Sequence, residues 1–67
     1  SNSPAEYIQR VKIVAAKKQL ENTAKNVSEV MYEVGYTDVK AFRMAFKKIT
    51  GMSPLDYKHK YNRQAAA

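Results

Sequence analysis

Gly35 and Gly51 are the two glycines of the chain, and the stretch between them, YTDVKAFRMAFKKIT, contains no proline. A glycine adopts the left-handed backbone that ends a helix without a Cβ penalty, so this spacing predicts one helix bounded by two turns. Tyr36, directly after Gly35, is an apolar residue able to pack back on the first turn. The helix is expected over residues 38–50, with Thr37 as its N-cap and Asp38 placing negative charge in its first turn. At about 100° per residue, Phe42, Ala45, Phe46 and Ile49 fall on one side and Val39, Lys40, Arg43, Met44 and Lys47 on the other. The first face is a core face. The second is cationic with two apolar side chains among the charges, a composition suited to entering a nucleic-acid groove.

The segments on either side predict further helices. Ser3, Pro4 and Glu6 supply a cap, a first-turn proline and a capping-box acid, predicting a long helix over residues 3–22. Tyr7, Val11 and Val14 with Ile8, Ala15 and Ala16 give it one apolar side. Ile13, Ala16 and Leu20 carry the apolar surface round to a second side, either because two bodies pack on this helix or because a small bundle surrounds it. ENTAKN breaks the pattern, and Asn26 with Glu29 starts a short helix over 27–34 whose apolar side is Val27, Val30, Met31 and Val34. Two helices joined at Gly35, the second basic outside, form a helix-turn-helix over 27–50, although structural helical hairpins share these signals. After Gly51, Ser53, Pro54, Asp56 and Tyr57 start a C-terminal helix over 53–62. They repeat the pattern of Ser3, Pro4, Glu6 and Tyr7, which suggests duplication of a whole unit unless two capped helix starts agree by chance.

These elements define the fold class as all-α, a small helical bundle of homeodomain-like architecture. The net charge is +6, and its location matters more than its size. Lys40, Arg43, Lys47, Lys48, Lys58, Lys60 and Arg63 face Asp56 alone in the second half, whereas basic and acidic residues cancel up to Asp38. That asymmetry points to a polyanion partner, with a solubilising lysine surface as the plainer explanation. With no cysteine in the sequence, neither a disulfide framework nor a thiolate metal site supports the core. No apolar run approaches the roughly 18 residues of a membrane span, so the expectations are no membrane and a cytoplasmic location. His59 stands alone among lysines without an oriented partner, so catalysis, metal and cofactor are not expected. Ser1 and Asn2 read as an expression scar, and Ala65 to Ala67 as a frayed end.

GYTDVKAFRMAFKKITGMSPLDY resembles the signature of the AraC/XylS family of bacterial transcription regulators, and VSEVMYEVGY and SPAEYIQRVKIVAAKKQLE are similar to that family's second motif helix and linker helix. The resemblance implies two helix-turn-helix units joined by a linker helix, of which this chain carries the linker (3–22) and the second unit. It implies that Val39, Lys40, Arg43 and Met44 face base edges of double-stranded DNA. It also implies a preceding helix-turn-helix unit, a sensor domain and RNA polymerase as partners. From residue chemistry, Arg43 and Lys40 suit guanine O6 and N7, and Val39 or Met44 a thymine methyl. Lys47, Lys48 and Lys58 suit phosphates, as do the backbone amides at Val27 and Ser28. Tyr32 and Tyr36 read as packing residues. The alternative function is a helical protein-protein interaction module using the apolar face of the linker helix, Tyr7, Ile8, Ile13 and Leu20.

Overall fold

In the computed structural model, which describes residues 3–63, each helix begins on a side-chain cap. The expectations for Ser1, Asn2 and Ala65 to Ala67 lie outside those residues. Helix α1 spans Pro4–Asn22, and the Ser3 hydroxyl accepts from the Glu6 amide at 3.2 Å. Helix α2 spans Val27–Glu33 on a reciprocal box: the Glu29 amide donates to Asn26 Oδ1 at 2.8 Å, and the Asn26 amide to Glu29 Oε1 at 3.1 Å. Helix α3 spans Val39–Thr50 and α4 spans Pro54–Tyr61, the latter capped by Ser53 accepting from the Asp56 amide. The N-cap of α3 is Asp38 rather than Thr37. The Asp38 carboxylate accepts from the Lys40 amide at 3.0 Å, which fixes the helix start one residue later than the threonine would.

The turn between α2 and α3 is a complete Schellman motif. Gly35 sits at φ +104°, its amide donates to Tyr32 O at 3.1 Å, and the Tyr36 amide reaches Met31 O at 3.0 Å. A β-carbon at Gly35 would be strained by that φ alone. Gly51, at φ +83°, closes α3 in the same left-handed way.

Ile13, Ala16 and Leu20 of α1, Val30 and Met31 of α2, Phe42, Ala45 and Phe46 of α3, and Tyr57 of α4 form the core. Val27, Val34, Tyr36, Ile49 and Met52 close around it. Its spine is a run of rings: Tyr36 to Phe42 at 5.4 Å, Phe42 to Phe46 at 5.8 Å, and Phe46 to Tyr57 edge-on at 5.4 Å. Aromatic pairs at these spacings add to simple area burial.

Helix α1 touches all three other helices, yet it does so with the second of its two apolar sides, Ile13, Ala16 and Leu20. Tyr7, Ile8, Val11 and Val14 are exposed, Tyr7 by 65%. The reason is geometric. Residues 13, 16 and 20 make one stripe at helical spacing, and a bundle of three short helices lies against one stripe of a helix and does not encircle it. The expected interaction face therefore divides, because Ile13 and Leu20 are fully buried while Tyr7 and Ile8 remain outside.

Helix α4 is fastened to the end of α1 by polar contacts. Buried Asn62 donates to Leu20 O at 2.6 Å and Thr23 O at 2.8 Å, the Arg63 amide donates to Glu21 O at 3.0 Å, and the Tyr57 hydroxyl donates to the Glu21 carboxylate. Burial, with the Glu21 hydrogen bond and charge, pushes the Tyr57 hydroxyl up to about 12.

Candidate nucleic-acid interface

The outward face of α3 follows from what its inward face must bury. With Phe42 and Phe46 fully buried and Ala45 nearly so, residues about half a turn away are driven into solvent. Val39, Lys40, Arg43, Met44 and Lys47 are all exposed, Met44 by 65%. These five, with Ser53, line one shallow groove. Apolar contact and positive charge are thus interleaved along one helix face.

Arg43 also borders a second hollow, lined by Val27, Ser53, Pro54, Leu55 and Asp56. This brings the start of α2 and the start of α4 together beside Arg43 on one flank of the α3 face. Of the residues marked as phosphate candidates, Lys47 shares the main groove and Val27 its flank. Lys48 instead lines a separate depression with Gln9, Ala41, Met44 and Ala45, on the side of α3 that meets α1. Ser28 is exposed, and Lys58 is half-buried on α4; neither lines these hollows. The start of α2 is electrostatically mixed, because the Glu29 carboxylate of the capping box occupies the helix end whose dipole would attract a phosphate.

Ser53 and Leu55 border the site without having been marked in the sequence, where they read only as parts of a helix start. Tyr36 packs as expected, half-buried against Phe42, but Tyr32 does not, being 62% exposed on α2. Among the described residues no helix is long and apolar enough to cross a membrane, and no group of three or more potential metal ligands occurs.

A bundle in which a tight glycine turn joins α2 to a helix that is apolar within and cationic without defines a helix-turn-helix DNA-binding unit. The chain belongs to the AraC-type helix-turn-helix family of transcription regulators: a helix-turn-helix domain family model matches residues 1–60, and similar proteins include ones described as putative AraC-like transcription regulators. It is 36% identical over 55 residues to a putative AraC-like transcription regulator of Streptomyces lividans, covering 82% of this chain and 18% of that protein. It is 36% identical over 56 residues to the HTH-type transcriptional regulator YisR of Bacillus subtilis, covering 84% of this chain and 20% of that one. It is also 32% identical over 62 residues to histidine kinase P4 of Formosa agariphila, covering 92% of this chain but 4% of the kinase. The chain thus spans a fifth or less of the length of these relatives. No solved structure matches it.

Proposed function

We propose that this unit reads duplex DNA in a sequence-specific manner by laying α3 in the major groove. The observation that carries this reading is the grouping of Val39, Lys40, Arg43, Met44 and Lys47 along one exposed groove on a helix whose other face is fixed in the core. Arg43, at the centre of that face, donates to guanine O6 and N7, and Lys40 reaches the same kind of acceptor. Val39 and Met44 pack against thymine methyls. Lys47 holds a phosphate, and Lys48, Lys58 and the amides at Val27 and Ser28 contribute at the margins.

Methylation interference tests the groove assignment. In a duplex selected by the protein from a random pool, methylating guanine N7 in the major groove should block binding, whereas methylating adenine N3 in the minor groove should not. The opposite pattern would displace α3 from the major groove.

The exposed α1 stripe supports a second, compatible interaction. Ser3, Pro4, Glu6 and Tyr7 and Ser53, Pro54, Asp56 and Tyr57 build the same capped start, but Tyr57 is buried against Phe46 and Tyr7 is not. A preceding helix-turn-helix unit that receives Tyr7 as this one receives Tyr57 accounts for that difference, and makes α1 a linker shared by two units. In the longer regulator, a sensor domain and RNA polymerase are further partners. Removing the preceding unit should increase binding of an apolar fluorescent dye to the α1 face; unchanged dye binding would count against it.

A further inference from the structure

The last turn of α2 carries Glu33 and no basic residue, so a carboxylate stands at the helix end whose dipole favours a cation. Lys25 pairs with Glu33 at the surface. A second cation comes to this end from α1. Lys12 is half-buried and lies across the α2–α3 turn: a β-carbon placed on Gly35 would stand 3.3 Å from its Nζ and 3.4 Å from its Cε. The same Nζ is 5.4 Å from the centre of the Tyr36 ring, within cation–π range. Tyr36 in turn packs on Phe42 at 5.4 Å, and the Phe42 amide donates to Asp38 O in the first turn of α3. A line of contacts therefore runs from α1, through the turn, to the beginning of the DNA-facing helix.

We infer that Lys12 is a positioning residue for base reading: from α1 it holds the Gly35–Tyr36 turn and so sets the angle at which α3 presents Val39, Lys40, Arg43 and Met44, without itself touching DNA. The inference rests on α3 being the reading helix. Its stem packs on the turn, its charge offsets the carbonyl end of α2, and its ammonium orients Tyr36. Base readout depends on the angle of α3 far more than phosphate attraction does, because bidentate hydrogen bonds are directional and Coulombic attraction is not. The signature of Lys12 is thus a change in discrimination at nearly constant electrostatic affinity.

The test compares Lys12→Met, which keeps the stem and removes the charge, with Lys12→Arg, which restores charge and ring contact, in the full-length chain. Each is titrated with a duplex selected from a random pool by the parent protein and with a shuffled duplex, over a range of salt concentrations. Lys12→Met should lower the ratio of selected to shuffled affinity by about three- to tenfold, leave the salt slope on shuffled DNA unchanged, and keep the thermal transition. Lys12→Arg should recover most of the ratio. An unchanged ratio in Lys12→Met would overturn the inference. So would equal loss on both duplexes with a shallower salt slope, which would make Lys12 a phosphate contact, and so would loss of the folded state, which would make it a general stability residue. Arg43→Ala in the same titrations separates the two levels: if it keeps the ratio, the reading-helix assignment falls and Lys12 with it, whereas loss there but not in Lys12→Met removes Lys12 alone.

Discussion

Arg43 and Lys47 lie one helical turn apart on the same exposed groove, and on the proposed reading their chemistries divide the work of binding. A planar guanidinium matches two acceptors on one base, whereas an ammonium on a flexible stem needs no base register. In a protein carrying the complete DNA-binding region, Arg43→Ala should cost about 1–3 kcal/mol on the preferred duplex and flatten discrimination at one or two base pairs. Lys47→Ala should weaken all sequences nearly equally and reduce the log–log salt slope by about one. Titrations on single-base variants of the duplex would expose a reversal of these roles. Phe46 is the control for facing. It is fully buried between Phe42 and Tyr57, so Phe46→Ala should lose about 3–5 kcal/mol of stability by denaturant titration. A variant as stable as the parent would mean that the face of α3 is wrongly assigned.

At the scale of the elements, the junction of α4 with α1 is where polar groups decide stability. Asn62 satisfies two carbonyls near the end of α1 from a buried position. Asn62→Ala leaves that part of the junction without its donor and should lower stability by about 1–3 kcal/mol, read as a shift in the urea midpoint without loss of helix content in native buffer. Tyr57 makes the same junction sensitive to alkali. Its hydroxyl is pushed from 10.0 to about 12, first by burial and then by the Glu21 hydrogen bond and charge. The folded state therefore holds this proton more tightly than the unfolded chain. The corresponding stability is fully present below pH 10 and is lost as the pH rises towards 12. Urea midpoints of parent and Tyr57→Phe should converge over that interval, and a constant gap would show that the hydroxyl does not titrate differently in the fold.

For the whole molecule, the concentration of positive charge beyond Asp38 makes the electrostatic term the main source of affinity for an isolated unit. With about three to five phosphate contacts, the log–log salt slope should be roughly −3 to −5 and the dissociation constant of order 10⁻⁴ to 10⁻⁶ M at physiological salt. Salt-independent binding would remove that account. Joining a preceding unit through α1 should tighten binding well beyond the added charge, because the second reader then acts at high effective concentration. Equal affinity of the single and joined forms would argue against two cooperating readers.

The elements were legible because their signals are local. Ser3, Asn26, Ser53 and the two glycines set helix ends by hydrogen bonds and backbone freedom within a few residues, and Phe42, Ala45 and Phe46 against Arg43 and Lys47 set the facing of α3 by helical spacing alone. The choice between two apolar faces of α1 was not local. Tyr7, Ile8, Val11 and Val14 are at least as apolar as Ile13, Ala16 and Leu20, and only the position of three other helices shows which stripe is covered. The same holds for Asn62, which reads as an unremarkable polar residue until the fold brings it to Leu20 and Thr23, and for Lys12, whose place beside Gly35 and Tyr36 depends on α1 lying across the turn. The sequence by itself determined, to within about one residue, where helices begin and end, and where they turn charge outward, because those choices are made over a few residues of backbone. Tertiary structure alone decided which surfaces are buried and which distant side chains meet, because those depend on how separate helices share one small core.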